Sequence, residues 1–490
     1  MKKLISILLC ALLALGTFGA LAGCGGRGDY QGFVDESGIA HVVFMGRDVE
    51  TERVNYQRVV DSFNASQKKI KVEMQWFTDG TSYNTMLDGL GTNLPDCLML
   101  SNAMFLRYVA SGKLYDYKSR ITQEELDLLY EDAYSYYCYD PATKQVGYSE
   151  NAGFYGLPKD MGPVAVCYNA DLLKSKVEAY NAANPSDLLD YDAITDPENP
   201  LKFSEFIEIG KKLKTVLSPG QYVCSGYDLQ SAVYSNNANF FTDDTAATQA
   251  IDSENFIGAM QFMQDMYKEG ILPAAGTVSS GGETLFTSGS SLFYYAGPWK
   301  TKDYWAAIGF EWDLMPMLCG DAEGAVSTCY VGGMAFCVSA NSAVKDYAVE
   351  FLKYVAPDLN AQRSLYSNGQ CIPNLVELAD EYATNSENLL ANSAPAHRSV
   401  WLDCVDGTGE KTENGETVTD KVGGRYRAEA YTYDETWYTF LTDFMAGNSG
   451  SYGSFWQAKS DGTWVDVGEA LRSFAPTLQS SLTELRSYLT

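Results

Sequence analysis

The chain has 490 residues, with 63 acidic against 35 basic side chains, and its formal charge of −28 argues against nucleic acid and against direct docking on anionic lipid. At roughly 100–200 residues per domain this length exceeds one core, so two lobes are expected. The only histidines are His41 and His397, no Cys-x-x-Cys or Cys/His cluster occurs, and no metal or other cofactor is expected.

The N-terminus carries Lys2 and Lys3, an apolar run from Leu4 to about Leu21, and then Leu21-Ala22-Gly23-Cys24. This pattern reads as a targeting segment, and an uncleaved membrane helix is the alternative because the run nearly reaches spanning length. The four residues ending at Cys24 resemble a bacterial lipobox. By that resemblance residues 1–23 are a signal peptide cleaved before Cys24, and the Cys24 thiol carries a diacylglyceryl group, whose two chains suffice for stable attachment to the cell membrane. Residues 24–38, rich in Gly and Asp, then form a tether. No comparable apolar run follows, so the body is expected to be soluble and outside the cytoplasm.

Eleven cysteines occur, and those beyond Cys10 and Cys24 are Cys97, Cys138, Cys167, Cys224, Cys319, Cys329, Cys337, Cys371 and Cys404. An odd number cannot all pair within the chain. Cys97, Cys167 and Cys337 stand inside apolar strand-like runs, where a thiol behaves as a small hydrophobe.

In the body, His41–Met45 reads as a buried strand ending at Gly46-Arg47-Asp48, and Tyr56, Val59, Val60 and Phe63 at helical spacing mark a helix. Ile70, Val72, Met74 and Trp76 alternate with polar residues, as in a strand. Tyr83, Met86, Leu87 and Leu90 make another helical stripe, and Pro95 to Leu100 a third strand followed by a helix that stops at Gly112. Strands alternating with helices predict an α/β sheet wound from βα units. A capping box, Thr122 with Glu125, predicts a helix running through Tyr130–Tyr139, and Asp140-Pro141 a turn.

After the Gly/Pro-bounded strip Gly156–Pro163, Val164–Asn169 reads as a strand, and Phe203-Ser204-Glu205-Phe206 opens a helix with Ser204 as cap. Gly226-Tyr227-Asp228 and Tyr234 to Phe241, which includes Asn239, combine aromatics and amides without clear periodicity. Such a segment fits a binding loop, because a sugar needs aromatic faces for its C–H surfaces and amides for its hydroxyls, or an ordinary asparagine-rich loop. Phe256, Met260, Met263 and Tyr267 mark a helix closed by Gly270 and Pro273.

The organising stretch is Glu283–Val355. Leu292–Tyr295 is a buried-strand run that stops at Gly297-Pro298-Trp299, so Trp299 is presented from a turn at a strand end, where α/β sheets usually bind ligands. A second strand spans Gly332–Val338, followed by an amphipathic helix with Val344, Ala348, Phe351 and Val355. Ser367–Pro373 is a turn stepping into Pro, residues 405–424 read as an exposed loop or hairpin, and Val467–Leu489 as helical at both ends with a break at Pro476.

Gly-Pro-Trp at 297–299, Val331-Gly332-Gly333, and the helix Asp346–Lys353 come in an order that resembles the extracellular solute-binding proteins (family 1) that deliver sugars to ABC transporters. Phe63-Asn64, Pro95-Asp96, Ser111-Gly112-Lys113-Leu114 and Tyr168-Asn169-x-Asp171-Leu172 extend the resemblance over roughly residues 40–490. It implies an α/β, two-lobed periplasmic-binding-protein-like fold (type II) whose lobes are joined by a multi-strand hinge. Lobe 1 would comprise 39–158 and 325–366, and lobe 2 159–324 and 367–490. In relatives the loops after the first and third strands hydrogen-bond sugar hydroxyls, which here implies Arg47 and Asp48, and Ser101 and Asn102. Leu100, Ala103 and Met104 replace the aromatic and acid/base pair that maltose-binding relatives keep, so the same ligand is not implied. Asp160, in the first crossing between lobes, would lie by the cleft or bond backbone at the hinge, and Gly332 is a further ligand-binding candidate.

The reading is a monomeric binding protein without catalysis, which closes on a carbohydrate and presents it to ABC permease subunits, with Trp299 as stacking face. Core packing is the other role open to Trp299. An exported glycan hydrolase using two carboxylates and a solute-sensing partner of a membrane receptor are the alternatives.

Overall fold

The computed structural model describes residues 30–48, 50–242, 246–276, 281–366, 372–384, 394–406, 408–413, 416–421 and 435–489. The leader 1–23, Cys24 with most of the tether, and the turn 367–371 lie outside these described residues.

Lobe 1 is built on the strand Ala40–Arg47, which runs parallel to Ile70–Phe77 (Ala40 opposite Ile70 through Arg47 opposite Phe77) and to Cys97–Ser101. Met334–Val338 returns antiparallel to Cys97–Ser101, with Met334 opposite Ser101, and Gly156–Pro158 forms the next strand. The helix Glu50–Ser66 lays Tyr56, Val59, Val60 and Phe63 onto this sheet, as their spacing predicts. Phe351, from the helix Lys345–Val355, meets Phe44 and Phe63 at ring separations of 5.5 and 5.2 Å. Buried Asp96 fastens distant pieces together: its carboxylate accepts the Gly32 and Val43 amides, each at 2.8 Å, and the Ser342 hydroxyl at 2.6 Å.

Lobe 2 centres on Ala165–Asn169, flanked antiparallel by Ser291–Ala296 and Trp312–Met315, with Tyr222–Cys224 parallel to Ser291–Ala296. Between the lobes lies a three-stranded hinge. Asp160–Pro163 pairs with Val331–Gly332 on one side and Ile372–Pro373 on the other. The two-lobed α/β architecture is therefore present, and the strip 156–163 runs from the sheet around Met334–Val338 into the three-stranded ladder.

Five local expectations are corrected. The capping box at Thr122 forms, yet its helix is only Gln123–Leu126, because Leu129 bridges Leu375 and the Tyr130 amide donates to Asn374 O. Cys138–Asp140 is then a strand paired with Gly153–Phe154, not helix. Ser204 is not the cap: Lys202 is, with its amide on the Glu205 carboxylate, while Ser204 bonds Asp321 through amide and hydroxyl. The stretch around Tyr234 is a buried helix, Leu229–Ser235, and Phe240 and Phe241 pack on Trp437. Pro476 sits inside a continuous helix, Val467–Leu489.

The fifth concerns the boundary after 366. Asn374 donates to the Pro158 carbonyl, Val376 to Leu128 O, and Arg363 pairs with Glu381, so we allot Asn374–Thr384 to lobe 1. The chain then returns to lobe 2, where Trp401 Nε1 donates to Ala296 O at 3.0 Å and Gln264 holds Val465 O. Residues 408–413 and 416–421 form a hairpin. No helix among the described residues is long and apolar enough to cross a membrane.

Candidate ligand-binding cleft at the hinge

The lobe 1 side of the cleft is made by strand ends. Parallel strands terminate on one edge, which brings Arg47-Asp48 beside Phe77 and Ser101-Asn102 beside Met334. Trp76 Nε1 donates to the Asp48 carbonyl at 2.9 Å and fixes that loop. Arg47 is turned onto the Tyr83 ring, 6.0 Å from its centroid, in the space that Gly80 leaves open. The Asn102 amide N–H donates to Gly333 O at 3.2 Å, which ties this loop directly to the hinge. Its side-chain nitrogen is buried with no hydrogen-bond partner among the described residues, leaving a donor at the edge of the hinge.

Beneath these loops lies a charged cluster that sequence reasoning missed. The ammonium of Lys159, 2 % exposed, stands 2.7 Å from Asp160, 3.1 Å from Glu52 and 3.7 Å from Asp48. One buried cation thus gathers three carboxylates, two of them predicted site residues. Desolvation dominates at Glu52 and, despite the opposing field of Lys159, pushes its carboxyl up to about 7. Asp160 also accepts the Met334 amide at 3.2 Å, and the Tyr366 hydroxyl donates to the Lys159 carbonyl. Asp160 therefore joins the Lys159 cluster and bonds backbone at the hinge. A signal for Glu52 existed: it stands four residues before Tyr56, on the apolar face of its helix. Lys159 neighbours Asp160, but nothing in a Pro-Lys-Asp step marks its lysine as buried.

Trp299 supplies the lobe 2 side. It sits in a single turn, Pro298–Lys300, at the end of Ser291–Ala296, and remains 38 % exposed. Its ring lies against hinge backbone: a Cβ on Gly162 would come 3.1 Å from Cζ3, and one on Gly297 would overlap the ring outright. Lys300 pairs with Glu283 at 2.9 Å and pins the turn. Gly332 faces Gly162 across the hinge ladder, and a Cβ there would press on the Tyr330 ring at 3.2 Å. Lys302, in the following helix, has its pKa lowered by desolvation, and it feels both Arg58 and Glu52 of lobe 1.

The structure thus brings Asp48, Asp160, Ser101, Asn102, Gly332 and Trp299 around one hinge. Tyr227 is packed in lobe 2: it is 7 % exposed, its ring meets Phe262, and its hydroxyl accepts the Leu318 amide at 2.9 Å. Asn239 is exposed immediately before Phe240, whose ring packs on Phe256.

This architecture, two α/β lobes with polar loops and an indole at a three-stranded hinge, is that of a protein that closes on a solute. The family model for bacterial extracellular solute-binding proteins matches residues 58–390, and the chain belongs to that family. Among solved structures it is similar to the ABC substrate-binding protein of Listeria monocytogenes in complex with cycloalternan, with 16 % identity, TM-score 0.66, and coverage of 90 % of this chain and 99 % of that one. The acarbose-binding GacH receptor of Streptomyces glaucescens shows 16 % identity, TM-score 0.65, and coverage of 91 % and 98 %. UgpB of Mycobacterium tuberculosis in complex with glycerophosphocholine shows 14 % identity, TM-score 0.64, and coverage of 90 % and 98 %. No curated protein sequence matches the chain.

Proposed function

We propose that this chain captures a carbohydrate, an oligosaccharide, between its lobes and presents it to ABC permease subunits. The observation that carries this reading is Trp299: a half-exposed indole held rigidly against hinge glycines offers a face for sugar C–H surfaces. Asn102 and the carboxylates of Asp48 and Asp160 complement it with a donor and acceptors for hydroxyls. The ligands of the Listeria and Streptomyces proteins, cycloalternan and acarbose, support a glycan. Contacts from both lobes favour the closed form, which a permease can read, so no catalytic group is required. We further propose that the chain works as a monomer held outside the cytoplasm by lipidated Cys24.

A thermal-shift screen of the purified protein against mono- and oligosaccharides, with glycerophosphodiesters, peptides and polyamines as controls, tests the ligand class. Ligand at 100-fold over its Kd stabilises by about 2.7 kcal/mol, a visible rise in midpoint. Stabilisation by a control class alone contradicts the carbohydrate assignment. Retention of lipid on Cys24→Ala protein contradicts the anchor.

A further inference from the structure

We propose that Tyr330 is a second sugar-stacking residue, which together with Trp299 makes two linked sugar rings the shortest ligand the cleft holds well; this rests on the carbohydrate reading and deepens it. Gly332 stands directly opposite Gly162 in the antiparallel hinge ladder. Residues paired in this way direct their side chains to one face of the sheet, so the two missing side chains would stand next to each other there, with Cβ atoms about 4.5–5.5 Å apart. An aromatic ring takes each of these spaces. A Cβ on Gly162 would come 3.1 Å from Trp299 Cζ3, and a Cβ on Gly332 would come 3.2 Å from both Cε1 and the hydroxyl oxygen of Tyr330. The two rings are therefore neighbours on one face of the hinge, and a pair of opposed glycines makes room for both.

Local structure presents Tyr330 on that face. Cys329 and Val331 on either side of it are fully buried, so strand alternation turns Tyr330 the other way, and its side chain is only half-buried. Its backbone is fixed. The Tyr330 N–H donates to Ser231 Oγ at 2.9 Å, and that hydroxyl donates at 2.7 Å to the carboxylate of Asp228, the cap of the helix Leu229–Ser235. Trp299 arrives from a different segment, the turn that follows Ser291–Ala296. Both rings are thus held by elements of lobe 2 and stand ready before the polar loops of lobe 1 close. One ring covers the C–H face of one sugar unit. A second ring beside it gains contact only when the ligand has a second unit, so Tyr330 adds affinity with chain length and not for sugar in general.

The test is calorimetric titration of the purified protein with matched series of one, two and three rings: glucose, maltose and maltotriose; glucose, cellobiose and cellotriose; xylose, xylobiose and xylotriose. In the series that binds, the unsubstituted chain should hold the two-ring sugar about tenfold or more tighter than the one-ring sugar. Tyr330→Ala should remove most of that step and leave the one-ring Kd within about twofold, whereas Tyr330→Phe, which keeps the ring face, should retain it. Trp299→Ala should weaken both lengths alike. Gly332→Ala keeps the tyrosine but displaces its ring, so it should shrink the step several-fold, and it decides the matter if Tyr330→Ala protein does not fold. Equal weakening of one-ring and two-ring sugars by Tyr330→Ala, or no weakening of either, overturns the role of Tyr330 and leaves the carbohydrate reading standing. Failure of every sugar to bind the unsubstituted chain overturns both.

Discussion

Glu52 makes the hinge sensitive to pH. Its carboxyl ionises at about 7 in the folded chain against an ordinary 4.5, chiefly through desolvation, and Lys159 offsets only part of that penalty. Between these values the folded protein keeps a proton that the unfolded chain has released, so stability falls as pH rises through the window. At about 1.4 kcal/mol per pH unit, the gap is worth about 3 kcal/mol once both states are ionised. The perturbation is Glu52→Gln, which keeps shape and hydrogen bonding but cannot titrate, and leaves Lys159 with Asp160 and Asp48. Urea unfolding of both proteins from pH 5 to pH 8 should show the substituted chain gaining about 2.5 kcal/mol relative to the unsubstituted one, because part of the gap is already lost at pH 5. Parallel stability curves across that range would refute the reasoning.

Trp299→Ala should weaken glycan binding by roughly tenfold to a hundredfold in calorimetric titration, while the midpoint without ligand changes little because the ring is already 38 % exposed. Gly162→Ala places a Cβ 3.1 Å from that ring and 3.2 Å from Gly332 O, so the indole must move: its fluorescence emission should shift and glycan affinity should fall several-fold. Phe351→Ala empties a fully buried site beside Phe44 and Phe63 and should cost about 3–5 kcal/mol in urea unfolding.

Where periodicity is driven by burial on one sheet face, the sequence is a sufficient guide. Ile70–Phe77, Ser291–Ala296 and the helix Lys345–Val355 all form where their apolar patterns predict. Long-range pairing defeats local reading elsewhere. The helix after Thr122 ends because Leu129 and Tyr130 have partners near residue 375, which no window around 122–139 contains. Tyr234 and Phe240 resemble a binding loop in composition, but aromatics from the helix Glu435–Met445 cover Phe240. At the hinge, the turn that carries Trp299 was legible from the Gly297-Pro298 before it, and the strip that carries Asp160 from Pro158 and Gly162-Pro163 on its two sides. Lys159 was not, since a buried charge is intelligible only once its partners from other segments are in view, and the helical spacing that puts Glu52 on the apolar face says nothing of the cation it meets.

The most direct test of closure on a carbohydrate is small-angle X-ray scattering of the purified protein, titrated with the glycan that stabilises it most. The radius of gyration should fall as the lobes close and saturate with the titration, and Trp299→Ala should require far more glycan for the same change. An unchanged radius at saturating glycan would contradict capture between the lobes.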